Sequence, residues 1–136
     1  MIVVDANVLA YALIDGERTA AARAVFEKDP DWRLPSLWRH ELLNVLATYA
    51  RHGGAPVAKV RAIWRTALER FTEGEEPVDG EAVLDLAVEH GISAYDAQYA
   101  ALAQRLDVEL VTEDRRLLRA LPAVAISMRE FLGVGA

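Results

Sequence analysis

The chain opens on Met1-Ile2-Val3-Val4, a run of mostly β-branched apolar residues that stops at an acid, Asp5. A run that is apolar at every position, rather than at alternate ones, marks a strand covered on both faces. That is the pattern of a parallel sheet held between layers of helix. The rest of the sequence fits such a frame. Helical spacing is predicted over about 7–13 and 18–28, a short strand over 32–35, and a helix over 36–51 that Gly53-Gly54 closes. Pro56 opens a further helix to Phe71, and 72–77 reads as a polar loop. Helices at 80–90 and 94–106, divided by Gly91, precede a strand at 108–111, a short helix at 115–120, a last strand at 124–126 and a helical end at 127–132. Strands separated by helices predict an α/β fold with three layers, α/β/α, and a short, mainly parallel central sheet in one domain over residues 1–136.

The apolar stripes say which helix faces turn inward. On the helix over 36–51 the stripe is Trp38, Leu42, Val45, Leu46 and Tyr49; on the next it is Val57, Val60, Ile63, Trp64, Ala67, Leu68 and Phe71. On the helix over 94–106 it is Tyr95, Tyr99, Leu102 and Leu106. Trp64 lies on its stripe, where it reads as core, though the same helix could present it outward to a partner.

Four acids stand where such a fold could gather them. In open parallel sheets the working crevice lies beyond the carboxyl ends of the strands. Asp5 ends the first strand, and Thr112-Glu113-Asp114 leaves the strand over 108–111. Glu41 lies at the border of its helix's apolar stripe, in one row with Leu37, Asn44 and Thr48. Asp96 shares a row with Ala100 and Ala103, small residues that let another element come close. Each acid also has a purely structural reading. Asp5 and Asp114 fit helix caps, Ser93-x-x-Asp96 fits a capping box, and Glu41 fits a solvated helix face.

Composition narrows the chemistry. There are no cysteines, which removes disulfides and thiolate metal sites and agrees with a reducing, cytoplasmic setting. Among His40, His52 and His90 there is no metal-binding helix pair, so a metal would be held by oxygen, the preference of hard cations such as Mg²⁺ or Mn²⁺. No signal peptide and no apolar stretch of membrane-spanning length is present, so a soluble protein is expected. A net charge of −6 argues against nonspecific coating of nucleic acid, while 13 of the 15 basic residues are Arg, the side chain suited to phosphate. Arg33, Arg39, Arg115 and Arg116 flank the acidic segments and are candidate phosphate contacts.

Val3-Val4-Asp5-Ala6-Asn7-Val8-Leu9, Glu41-Leu42-Leu43-Asn44-Val45-Leu46, Ser93-Ala94-Tyr95-Asp96-Ala97-Gln98-Tyr99 and Val111-Thr112-Glu113-Asp114 together resemble the four signature segments of PIN-domain ribonucleases. The likeness spans nearly the whole chain in the family's order, and within the family the chain resembles the VapC toxins of toxin–antitoxin pairs. The resemblance implies a PIN-like fold and that Asp5, Glu41, Asp96 and Asp114 are the catalytic, metal-binding acids, with Asp5 and Asp96 the principal ligands. It implies that Asn7, Asn44 and Thr112 support the site. Glu113, adjacent to Asp114, is an alternative for the fourth acid, although the Thr-x-Asp spacing favours Asp114.

The activity implied is hydrolysis of an RNA phosphodiester by water, with Mg²⁺ or Mn²⁺ offsetting the crowded carboxylates and no covalent enzyme intermediate. The partners implied are a VapB-like antitoxin and a second copy of the chain in a homodimer. Three Trp and four Tyr in a small domain agree with interfaces. Two rivals remain: a phosphoryl-acceptor domain of the receiver or haloacid-dehalogenase type, which needs a Lys late in the chain where this one has only Lys28 and Lys59, and a non-catalytic PIN-like module that binds RNA or protein.

Overall fold

The computed structural model describes residues 1–134; of the domain expected over 1–136, the last two residues lie outside the described residues. Twelve elements follow in order: β1 (Ile2–Val4), α1 (Ala6–Leu13), α2 (Thr19–Lys28), β2 (Trp32–Arg33), α3 (Trp38–His52), α4 (Val57–Phe71), α5 (Gly80–His90), α6 (Ala94–Leu106), β3 (Leu110–Val111), α7 (Arg115–Ala120), β4 (Ala125–Ile126) and α8 (Met128–Leu132). A 3-10 turn, Thr72–Gly74, follows α4.

The four strands form one parallel sheet in the order β2-β1-β3-β4. Alternation along the strands divides the apolar residues between two cores. Val3, Leu110 and Ala125 point to one side and pack with α5, α6 and α7. Ile2, Val4, Trp32 and Val111 point to the other and pack with α1 to α4 and α8. The three-layer α/β/α reading therefore holds, and the apolar opening run is the strand buried on both faces that its composition demands. No helix among the described residues is long and apolar enough to cross a membrane.

From β1 the chain crosses to β2 on one side, then returns past β1 to β3 on the other. The strand order thus reverses between β1 and β3, whose carboxyl ends carry Asp5 and Thr112. A sheet of this kind opens its crevice at that point.

The differences from the sequence reading lie at element ends. The second strand stops at Arg33, because Pro35 has no N–H to extend a ladder; Leu34 makes a single parallel bridge to Glu75 instead. Residues 108 and 124 fall outside β3 and β4, since the Val108 and Val124 amides close turns onto the carbonyls of Ala103 and Leu121. Val57, expected inward, is exposed at the first turn of α4, and Tyr95, expected on the α6 stripe, is 62% exposed. Trp64 is half-buried against Trp38, with ring centres 6.1 Å apart.

The polar loop over 72–77 is an ordered strap. Leu34 donates to Gly74 and accepts from Glu76, and Glu75 accepts from the Trp38 indole at 2.8 Å. Gly74 has to be glycine here, because a Cβ would collide with the Trp32 carbonyl oxygen. Gly74→Ala is therefore expected to lower unfolding free energy by about 1–3 kcal/mol in urea titrations. An unchanged midpoint would show that the strap yields freely.

Candidate active site

The carboxyl ends of β1 and β3 open into a cleft of about 580 Å³. Asp5, Glu41, Asp96 and Asp114 all line it, together with Asn7, Asn44, His40, Tyr95 and Tyr99. Four acids from four distant segments thus share one cavity, as the strand ends and helix rows predicted. Thr112 is fully buried beneath it.

Each acid is placed by the start of a helix. Asp5 is the N-cap of α1, where Oδ1 accepts from the Val8 amide at 3.0 Å; Oδ2 accepts from the Thr112 hydroxyl. Asp114 is the N-cap of α7 and accepts from the amides of Arg116 at 2.8 Å and Leu117 at 3.4 Å. Glu41 and Asp96 lie in the first turns of α3 and α6, the latter capped by Ser93 through the Asp96 amide at 3.0 Å. The capping readings of Asp5 and Asp114 are accordingly correct, and so is their placement in the cleft. Caps at these positions aim carboxylates and positive helix ends at one space.

Thr112 joins two acids, donating to Asp5 and accepting from the Asp114 amide at 3.0 Å. Tyr99 orients a third: its hydroxyl donates to Glu41 Oε1 at 2.6 Å. The sequence reading placed Tyr99 on an apolar stripe and missed this role. A polar-headed ring one turn beyond Asp96 was the available signal. Glu113 turns away from the cleft and accepts from the Met128 amide at 3.0 Å, at the start of α8. Asp114, not Glu113, faces the cavity.

The arginine candidates separate in the same way. Arg33 is held by Asp31 and Glu76, and Arg39 by Glu75, so the strap removes both from phosphate duty. Arg115 and Arg116 are exposed at the start of α7, with Arg116 4.0 Å from Asp114.

Burial, with some help from crowding, raises the proton affinity of Asp5, Glu41 and Asp96. Burial pushes Asp5 up to about 6, helped by the charges of Glu41 and Asp114 and opposed by the bonds from Thr112 and Val8. Burial also raises Glu41, with Asp96 adding to it and the Tyr99 bond opposing; Asp96 is raised by burial and by Asp114. Such a set calls for a cation and offers only oxygen donors of the kind hard divalent ions prefer. Among the described residues no three acidic or histidine side chains lie close enough, as they stand, to clasp one ion. Asp5 and Glu41 are turned toward Thr112 and Tyr99 instead. A hydrated hard divalent ion takes only one or two carboxylates directly and meets the rest through its waters, so a three-ligand clasp is not required of these residues.

The sequence profile of the PIN domain matches residues 2–122, a stretch that contains all four acids. The chain belongs to the PIN domain family. Ribonuclease VapC9 of Mycobacterium tuberculosis is 36% identical over 121 residues, covering 86% of this chain and 88% of that protein. Ribonuclease VapC3 of Pyrobaculum aerophilum is 29% identical over 126 residues, covering 90% and 96%. A crystal structure of a P. aerophilum protein superposes on this PIN domain with a TM-score of 0.76 at 26% identity, covering 97% of this chain and 86% of that one.

The raised Asp5 sets a pH dependence. Asp5 holds its proton more tightly in the folded chain than in the unfolded one, where 3.8 is its ordinary value. Its contribution to stability is therefore greatest below pH 3.8 and is lost as pH rises through about 6. Ionising it in the folded chain costs roughly 3 kcal/mol at about 1.4 kcal/mol per pH unit. In chelator, Asp5→Asn should gain about 1–3 kcal/mol over the parent protein between pH 4 and pH 7.5 in denaturant titrations. Parallel curves at the two pH values would contradict it.

Proposed function

We propose that this chain is a VapC-like ribonuclease, the toxin of a toxin–antitoxin pair, which hydrolyses RNA phosphodiester bonds with Mg²⁺ or Mn²⁺. The observation that carries the reading is the meeting of Asp5, Glu41, Asp96 and Asp114 in one cleft at the carboxyl ends of β1 and β3. The likeness to proteins named ribonuclease supports it. Asp5 and Asp96 are the principal ligands of the cation, and Asp114 and Glu41 hold a second ion or orient waters. Bound there, the cation supplies Lewis-acid stabilisation of the phosphoryl group and activation of water.

The chain's own side chains do the rest. Thr112 fixes the Asp5 carboxylate from below and the Asp114 backbone beside it, and Tyr99 fixes Glu41. Asn7 and Asn44 present exposed amides at the cleft wall, suited to sugar and phosphate oxygens. In this reading water is the nucleophile, activated at the carboxylate cluster, and no serine or cysteine is among the residues that line the cleft. The phosphoryl-acceptor alternative lacks its lysine: Lys28 donates to the Phe131 carbonyl, and Lys59 donates to Tyr49, away from Asp5.

The partners that go with this reading are a VapB-like antitoxin covering the cleft and a second copy of the chain in a homodimer. The setting is the cytoplasm, and the working unit is one domain over 1–136. Incubation of the purified chain with structured RNAs tests the activity. Cleavage should require divalent cation, stop in chelator, and fall by at least about 100-fold in Asp5→Asn, Asp96→Asn and Asp114→Asn. Glu113→Gln, whose carboxylate serves α8, should keep most of the activity. Cleavage that survives chelator and the Asp5 and Asp96 substitutions would refute the mechanism.

A further inference from the structure

Asn7 and Val45 stand in the wall of the acidic cleft. Those residues also line a second hollow of about 470 Å³ between α1 and α3, so the two spaces meet at a shared wall. Tyr11 of α1 and Tyr49 of α3 stand in the walls of this second part. Each has a cation over its ring: the Arg18 guanidinium lies 5.3 Å from the centre of Tyr11, and the Lys59 ammonium 5.6 Å from that of Tyr49. Each cation also donates to its tyrosine's hydroxyl, at 3.4 and 3.3 Å. Both are exposed, and among the described residues neither has a carboxylate partner.

The α3–α4 hairpin, which supplies Tyr49, also carries a local excess of positive charge. Between Glu41 and Glu69 the sequence has no Asp or Glu, yet it carries Arg51, Lys59, Arg61 and Arg65, in a protein of net charge −6. All four are exposed on the hairpin of α3 and α4, whose opening turn supplies Glu41 to the cleft. Arg51 is ten residues past Glu41, about 15 Å along the axis of α3. The facing wall is mixed, with Asp15 and Glu17 beside Arg18, and Asp15 is engaged by Arg23 at 3.3 Å.

Aromatic faces beside cations suit an unpaired nucleic-acid strand: bases stack on the rings, and phosphates meet the cations. We propose that the second hollow is an accessory subsite for single-stranded RNA, seating the nucleotides next to the phosphate held in the acidic cleft. Tyr11 and Tyr49 are its stacking platforms, and Arg18 and Lys59 its backbone contacts. These long, exposed side chains rest on the rings in the free protein and turn to phosphate when a base takes their place. The inference rests on the ribonuclease reading and extends it to substrate class. A duplex keeps its bases stacked on each other, so substrate enters as a loop or an end.

The test uses Asp96→Asn protein, which keeps the second hollow but does not cut. It is titrated with labelled RNA of about three and about ten nucleotides, single-stranded or as a stem of the longer length. The longer single strand should bind more tightly than the stem. Adding Arg18→Glu and Lys59→Glu should weaken it roughly tenfold and flatten its salt dependence by about 1.4 in log–log slope, while changing the short strand less than about twofold. Unchanged thermal melting of the charge variants verifies their fold. Equal affinity before and after charge reversal overturns the proposal, as does equal weakening of single strand and stem. So does intact RNA binding with lost affinity for an antitoxin-derived peptide, which would assign the hollow to protein. Failure of the unsubstituted chain to cut any RNA refutes the ribonuclease reading instead, and the titration still decides whether the hollow binds a single strand.

Discussion

The Asp5 carboxylate is the joint on which the site depends. One oxygen caps α1 and the other takes the Thr112 hydroxyl, so a single buried acid ties the end of β1, the start of α1 and the end of β3 together. Because β1 and β3 are neighbours where the strand order reverses, this joint sits at the mouth of the crevice. Thr112 then passes the constraint on, through the Asp114 amide, to the start of α7. A carboxylate in this position is poorly solvated, and burial raises its proton affinity. The hydrogen bonds lower that cost without removing it, and three more carboxylates line the same space. Positive helix ends soften the repulsion among them, each by a fraction of the charge a divalent ion carries.

Much of this was legible because the relevant residues obey short-range rules. Ile2 to Val4 are apolar at every position, which specifies a two-sided strand, and Asp5 follows at once. The Glu41 row and the small Ala100 and Ala103 beside Asp96 placed two helical acids correctly near the cleft. Capping and cleft-lining readings of Asp5 and Asp114 looked like competitors in the sequence, yet the fold makes them compatible. A cap places its oxygen at a helix start, and here the helix starts face the crevice.

What the sequence hid depends on long-range contacts. Nothing local says that Glu75 and Glu76, some 35 to 45 residues along, will occupy Arg39 and Arg33. The same holds for Glu113, whose orientation is set by the Met128 amide, and for Tyr99, whose hydroxyl meets Glu41 only after α3 and α6 have packed on opposite sides of the sheet. Tyr95 fell on the helical period of the apolar stripe, but it lies in the first turn of α6, which projects beyond the core to the cleft rim. Periodicity describes a face and not where the neighbouring layer ends.

The distribution of charge resolves an apparent conflict between an acidic chain and a polyanionic substrate. Net charge acts over distances that salt screens within about 8 Å, whereas contacts act locally. Part of the protein's negative charge is placed locally: four carboxylates line the cleft, and Glu76 and Glu75 of the strap hold Arg33 and Arg39. Between Glu41 and Glu69 the α3–α4 hairpin carries Arg51, Lys59, Arg61 and Arg65 and no acid. An acidic cleft adjoining aromatic rings and cations thus separates two demands that one surface could not meet together. On the proposed reading, cations gather at the point of hydrolysis and the chain of phosphates lies along the wall beside it.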